Sequence, residues 1–515
     1  MLTFLGVPKS TPQGITRREL LQAGAMGFGG LALADLLRGE ELNALTGAPR
    51  QFGRAKSCIV LHLYGAWSQL DTFDMKPDAP TEVRGEFQPI STSVPGLEIT
   101  EHLPRIAKWM DRLTLVRSLS HAHPTHCVAY TLSGIPINPL RNVEDYWPFY
   151  ASTLDYLWEQ EGAARPLGMP RALTLPFVLN SRSTNQSHRG LTPAWLGSEW
   201  EPVVGEFVGQ ASREQGFPSG DGAKAILSRY DPFDGITPDS KFQLTAMRLA
   251  EHAAKVTLPH RYSKTTFGLP AGVSGHRFNL RRDLLAQMET ARRATEAAAS
   301  GGAFDRYQRM ALEMIASPRC ANALDVTRES TSVRERYGDT LFGQSTLAAR
   351  RLVESGARVV TVYWDEYGPA NTAWDTHVNN FPRLKEGLCP TLDQVFPALL
   401  EDLDQRGLLD ETLVLLLSEH GRTPKIGTKP GGSREHWAGA YCGILAGAGI
   451  RQGQVIGSTD AQAGYPAERP LDPKDILATL YHLMGFDPQT TRTYDHLNRP
   501  HSLLPFGEVV DEALA

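Results

Sequence analysis

Histidines and carboxylates in this chain gather where apolar runs end. The stretch TLVLLLSEHGRTP, Thr412 to Pro424, passes from six mostly aliphatic residues straight into Ser418-Glu419-His420-Gly421. Sixteen residues beyond His420 comes REHW, with Glu435 and His436. The run VVTVYW is followed by DEYGPANTAWDTH, which carries Asp365, Glu366, Asp375 and His377. LTLVRSL is followed by SHAHPTHCVAY, where His121, His123 and His126 are three of the chain's 15 histidines. LYG is followed by AWSQLDTFD, with Asp71 and Asp74. Mixed imidazole and carboxylate sets suit zinc or manganese, whereas calcium and magnesium prefer all-oxygen shells. Two such ions roughly 4 Å apart clamp the attacking and leaving oxygens of a phosphoryl or sulfuryl transfer. In an extended segment Asp375 and His377 point the same way. Glu419 and His420, being adjacent, point apart and serve either two ions or one ion and the group that orients another ligand.

Each motif has a plainer reading. An acid-His pair after a strand also serves as a helix cap or surface pair, His121 to His126 as a satisfied polar loop, and Asp71 as a turn or helix cap. His482, in ATLYHLMG, reads as structural. What favours a metal site is agreement: four strand ends bring these residue types to one edge, and open α/β sheets bind ligands at the carboxyl ends of their strands.

The elements that must position them alternate in type, which predicts an α/β fold. SCIVLHLYG reads as a buried strand ended by glycine, ITEHLPRIAKWMDR as a helix on Leu103, Ile106 and Met110, and LTLVRSL as a second strand. That β-α-β order predicts a parallel sheet with a right-handed crossover. Residues from about 136 to 280 are rich in Pro, Gly and Ser and read as a loop-rich insertion, with helix from about Asn279 to Ser317. DTLFGQSTLAARRLVESGA predicts an amphipathic helix stopped by Gly356. FPRLKEGLCPTLDQVFPALLEDLDQRG predicts a long helix to Gly407, kinked at Pro390 and Pro397. YCGILAGAGI is a further strand and DPKDILATLYHLMG a last helix.

Composition narrows the class. With 41% hydrophobic and 21% charged residues over 515 positions, the chain is not wholly disordered. A net charge of −5 without a basic run gives no reason to expect nucleic acid as a partner. The five cysteines, Cys58, Cys127, Cys320, Cys389 and Cys442, form no C-x-x-C pair. They read mainly as small buried hydrophobes, with one or two disulfides left open. No dinucleotide fingerprint or cysteine cluster motif supports an oxidoreductase. ITRRELLQAGAMGFGGLALADLL pairs Arg17-Arg18 with a weakly apolar run and a small-residue ALA site before Asp35. This is the pattern of a twin-arginine signal. It predicts a Tat signal over 1–37, a linker over 38–55, one large domain over 56–510, the Tat translocase as a partner and a periplasmic or exported location. No later run reaches about 18 apolar residues, so no further membrane span is expected.

EDLDQRGLLDETLVLLLSEHG resembles the segment of sulfatases and alkaline phosphatase-like enzymes that ends in an acid-His-Gly triplet. More closely, GAWSQLDTFDMKPDAP, RGEFQPI, EHLPRIAKWMDRLTLVRSLSH, WDTHVNN, GRTPKI, REHW and IGSTD are similar to domain-of-unknown-function family 1501, a mostly Tat-exported branch of that superfamily. The resemblance implies an alkaline phosphatase-like three-layer sandwich, with a mostly parallel sheet and helices on both faces. It implies one or two divalent ions on Asp71, Asp375, His377, Glu419, His420 and His436, and hydrolysis of an anionic sulfate or phosphate ester, small or glycan-borne. Arg422 would neutralise that anion. Two departures accompany it. Tyr64 stands where the superfamily has a metal-binding Asp, and the nucleophile's place falls near Ala122. Thr125 and Ser120 are then the nearby hydroxyls, with His123 or His126 as base or ligand; the alternatives are direct metal-assisted hydrolysis, or a non-catalytic periplasmic or cell-surface binding protein. A site held at about 2.1 Å from zinc requires the ligand atoms of Asp375, His377, His420 and His436 to converge within about 4–5 Å.

Overall fold

Every residue of the run Ser57–Leu63 is buried, and its alternate side chains enter two different cores. Ile59, Leu61 and Leu63 pack with one apolar cluster, Cys58, Val60 and Tyr64 with the other. A strand covered on both faces in this way needs an unbroken apolar sequence. The computed structural model describes residues 51–135, 147–176, 192–205, 302–338, 340–364, 374–377 and 379–515, and the short strands Phe207–Val208, Gly216–Pro218, Lys224–Ile226 and Arg261–Tyr262. Residues Gly53–Ala515 form one compact unit. The expected signal over 1–37, most of the linker, most of the insertion, Asp365 and Glu366 lie outside the described residues.

The sheet and its site are built from β1 (Ser57–Leu63), β2 (Leu113–Leu119), β3 (Ala172–Leu175), β4 (Val203–Val204), β5 (Val359–Trp364) and β6 (Thr412–Leu417), then the short pair β7 (Gly421–Arg422) and β8 (His436–Trp437), then β9 (Tyr441–Gly447) and β10 (Gln454–Ile456). β7 and β8 form a hairpin of their own. The other strands make an eight-stranded sheet in the order β10-β2-β9-β6-β1-β5-β3-β4. All neighbours are parallel except those of β9, which runs against both β6 and β2.

One face carries α3 and α4 once the helices are taken in chain order: α1 (Val128–Ser133), α2 (Tyr150–Gln160), α3 (Leu341–Glu354), α4 (Cys389–Gln405) and α5 (Pro473–Leu483). Leu347, Leu352, Leu392 and Leu399 of α3 and α4 pack with Ile59 and Leu61. Val128, Leu154, Leu157, Ile476 and Leu480 of α1, α2 and α5 pack with Val60 on the opposite face. The expected α/β three-layer sandwich is therefore present. Local signals set its ends. Thr340 caps α3 through Gly343 N, and Asp472 and Asp475 form a capping box at the start of α5.

Two expectations are corrected. Leu103, Ile106 and Met110 are buried, but the segment is a four-residue helix, Pro104–Ala107, and a 3-10 turn, Met110–Arg112. The residues before it are spent on Glu98–Thr100, a strand paired with Pro89–Ser91. β1 and β2 run parallel in one sheet, as expected, with β6 and β9 between them. The region expected as loops around the sheet contributes α2 to the core and β3 and β4 to the sheet itself. The long helix before Gly407 has a π-helical stretch, Leu384–Leu388, just ahead of Pro390. A wider turn there accommodates a proline that cannot donate the ordinary backbone bond. None of the five cysteines is in a disulfide.

Candidate metal centre

The sheet register brings the acid and imidazole segments together. His62 of β1 lies opposite Leu417 of β6 and Tyr363 of β5, so all three strands end at one level. Glu419, two residues past β6, accepts from Gly65 N at 2.7 Å, just past β1. The segment after β5 crosses the same point, where Trp374 N donates to Tyr64 O at 3.0 Å. A Cβ on Gly65 would come within 2.4 Å of Asp375 N, and Gly65 has φ +105°. Only glycine permits both the conformation and the approach. Because β9 is antiparallel, its first residue lies at this edge, with Tyr441 opposite Leu119, the last residue of β2. The segment ahead of β9 therefore arrives beside the residues just past β1, β5 and β6. That segment is the β7–β8 hairpin, in which Arg422 pairs with His436.

Two groups of ligand atoms result. His126, Asp375, His377 and His436 each offer an atom within 4.8 Å of the others, and so do His126, Glu419 and His420. His126 belongs to both. In the first group His377 Nε2 lies 2.9 Å from His436 Nε2 and 2.9 Å from Asp375 Oδ1. His436 Nε2 is 3.3 Å from the same oxygen, and His126 Nε2 is 3.2 Å from Asp375 Oδ2. Four ligands at about 2.1 Å from a tetrahedral zinc are separated by about 3.4 Å, so these spacings are those of a ligand shell. In the second group His126 Nδ1 lies 2.6 Å from Glu419 Oε1. His420 Nδ1 meets Gly421 O at 2.8 Å, which leaves its buried Nε2 without a hydrogen-bond partner among the described residues. An orphaned ring nitrogen aimed into a carboxylate-lined site fits a cation and not a packed core. The donor set thus suits zinc or manganese.

Charge is held in place by burial and contact. Burial pushes the Asp375 carboxyl up, but Arg422 and His126 beside it hold it well below the usual carboxylate range. Burial also raises Glu419, and His126 outweighs it, so that the acid is held down. His126, between the two carboxylates, is raised to about 9 against the opposite pull of its own burial. His420 is pushed well below its ordinary value by burial and by His126, and His436 is lowered chiefly by burial. Neutral imidazoles and ionised carboxylates are the forms that bind metal.

The other expected residues are placed differently. Asp71 is buried, but Arg434 takes both its oxygens at 2.7 and 2.8 Å and Asn380 adds a bond of 2.9 Å. It is not in either ligand group. Arg422 is fully buried beneath Asp375. Its guanidinium donates to that carboxylate and to the backbone oxygens of Gly65, Ala66 and Arg434. These bonds commit it to fixing Asp375 and not to meeting a substrate anion. Thr125 and Ala122 are exposed and His123 half-buried. His121 donates from Nε2 to Glu419 O at 2.7 Å and accepts His123 N on Nδ1 at 3.1 Å, a satisfied loop residue. His420 joins His126 and Glu419 and not the Asp375 group. Arg434 and Gly65 fall inside the quoted stretches REHW and GAWSQLDTFDMKPDAP, but their roles, one on Asp71 and the other on Glu419, show only in the folded contacts.

Among the described residues no helix is long and apolar enough to cross a membrane. No curated protein matches the chain by sequence. Solved structures similar to it include a phosphonate monoester hydrolase from Silicibacter pomeroyi, at 11% identity and TM-score 0.32, covering 89% of this chain and 76% of that one. A sulfatase from Pseudoalteromonas sp. is 12% identical with TM-score 0.34, over 89% and 72%. A protein in the alkaline phosphatase superfamily from Vibrio parahaemolyticus is 9% identical with TM-score 0.35, over 91% and 72%. At this distance these likenesses say nothing of what the chain does. The family comparison is decisive where they are not: a single family model spans residues 55–514, and the chain belongs to the family it describes, Protein of unknown function (DUF1501).

Proposed function

We propose that the chain is a metal-dependent hydrolase of sulfate or phosphate esters, with one or two divalent ions held around His126. The observation that carries this reading is the convergence of two ligand groups on one shared imidazole at the carboxyl edge of the sheet. His126, Asp375, His377 and His436 would hold one ion, and Glu419 and His420 would either hold a second or, as Glu419 does at His126 Nδ1, orient the ligands of the first. A bound divalent ion would supply Lewis acidity toward an anionic ester oxygen. The chain's own groups do the positioning. Arg422 anchors Asp375, the Gly65 amide anchors Glu419, and Glu419 orients His126.

The same reading extends to export. Residues 1–37 would act as the Tat signal, engage the translocase and deliver the domain over 56–510 to the periplasm. A second reading, a binding protein on a degenerate hydrolase fold, is favoured by the exposure of Ala122 and Thr125 at the place where the resemblance puts a nucleophile.

The test is metal content by mass spectrometry on protein purified from metal-replete cells, followed by a panel of sulfate and phosphate esters. Wild type is expected to hold one or two equivalents and to cleave at least one ester. His126→Ala is expected to empty both positions and His420→Ala to spare the Asp375 group. A wild type that holds no metal sinks the proposal. Full metal with no cleavage favours the binding protein.

A further inference from the structure

Three imidazoles of the centre are oriented through their second nitrogen, and the three are not held alike. His126 Nδ1 faces Glu419, which is fully buried and itself fixed by the Gly65 amide and, at 3.2 Å, the Ser418 hydroxyl. His420 Nδ1 donates to the backbone oxygen of the next residue, Gly421. These two orienting groups cannot move without the sheet edge. His377 Nδ1 instead donates to a carboxylate oxygen of Glu435, whose side chain is 51% exposed. The other oxygen of Glu435 receives Lys429 Nζ at 2.8 Å, and that side chain is 48% exposed.

A proton on Nδ1 leaves the lone pair of His377 on Nε2, and that atom faces Asp375 and His436 at 2.9 Å each. Resting on the metal reading above, we propose that Glu435 is a positioning residue for the ion. It fixes the tautomer and ring angle of His377, and it makes metal affinity depend on a solvent-facing carboxylate shared with Lys429. The chemistry is that of a carboxylate–histidine–metal relay, in which the outer acid holds the ring and raises the basicity of the ligating nitrogen. Here the relay is on the surface. Glu435 is tied to its surroundings by the His377 and Lys429 contacts and by two backbone bonds, Thr423 N to Glu435 O at 2.9 Å and Glu435 N to Thr423 Oγ1 at 3.0 Å.

The test is a competition titration of Zn2+ against a chromophoric chelator, using the metal-free full chain. Wild type, Glu435→Gln and Glu435→Asp are compared, with Co2+ absorption spectra of each. Glu435→Gln is expected to weaken Zn2+ by about ten- to a hundredfold. It should also shift the cobalt bands, and leave the metal-free thermal unfolding curve in place. Glu435→Asp should recover part of the affinity. If wild type binds and Glu435→Gln binds within twofold of it with an unchanged cobalt spectrum, the positioning role is overturned and the metal site stands. If wild type itself binds neither ion, the metal reading falls and this inference falls with it.

Discussion

Asp71 and Asp375 are both buried carboxylates, both lie in the segment that follows a sheet strand, and both rest on a buried arginine of the same hairpin region. They have opposite surroundings. Arg434 and Asn380 use up the oxygens of Asp71, which belongs to neither ligand group. Asp375 meets Arg422 and also His126, His377 and His436. The first pair is charge-balanced and closed. The second sets His377 Nε2 2.9 Å from both Asp375 Oδ1 and His436 Nε2, and that crowding of lone pairs is what an ion would resolve. Burial and residue type do not distinguish the two acids; the ring nitrogens around Asp375 do.

The largest expected effect comes from breaking either pair. Asp71→Asn and Asp375→Asn each leave a buried guanidinium without its counter-charge, at about 3–5 kcal/mol of metal-free stability by urea denaturation. The two should part when zinc is added. At a hundred times Kd an ion that binds only the folded state stabilises it by about 2.7 kcal/mol. Wild type and Asp71→Asn should show that gain, and Asp375→Asn should not. Equal gains in both variants would erase the distinction between the two acids.

Next in size is a dependence on pH. The folded pKa of His126 is raised to about 9 from an ordinary 6.5. Its protonated form therefore stabilises the metal-free fold in full below pH 6.5, and that contribution is lost as pH rises through 9. The depressed acids Glu419 and Asp375 work in the other direction, stabilising above the ordinary carboxylate range and losing it in acid. In chelator, the urea midpoint of wild type should fall between pH 6.5 and 9, and His126→Ala should flatten that limb. With zinc bound the proton is displaced, so zinc affinity should rise over the same interval. A midpoint that does not fall between pH 6.5 and 9 in chelator would count against a protonated His126.

The smallest effect is expected at Thr125. Its side chain is exposed, so Thr125→Ala should change stability by about 0.5 kcal/mol or less and leave zinc affinity as it is. A large loss of affinity would bring this loop into the centre.

Much of the fold was legible because central strands covered on both faces must be apolar throughout. β1, β5, β6 and β9 announce themselves in that way, and β2 does so despite Arg117. Asp375, His377, Glu419, His420 and His436 were legible through strand ends. The rest depended on the third dimension. Nothing in YCGILAGAGI tells that β9 runs backwards, and so nothing told why a residue ahead of it, His436, should join residues placed after other strands. His126 was visible as one of three clustered histidines, but its place at the junction of both groups was not. Asp71 looked like a ligand because the arginine that occupies it lies far along the chain.

That backward strand also sets when the centre can come into being. Its ligands run from His126 to His436, more than half the chain, and the hairpin carrying the last of them is aligned by β9. Contacts so distant in sequence must overcome loop-closure entropy before they contribute anything. No early folding nucleus holds the full ligand set. An ion would be captured by the finished sheet, and its uptake would mark the end of folding and not its beginning.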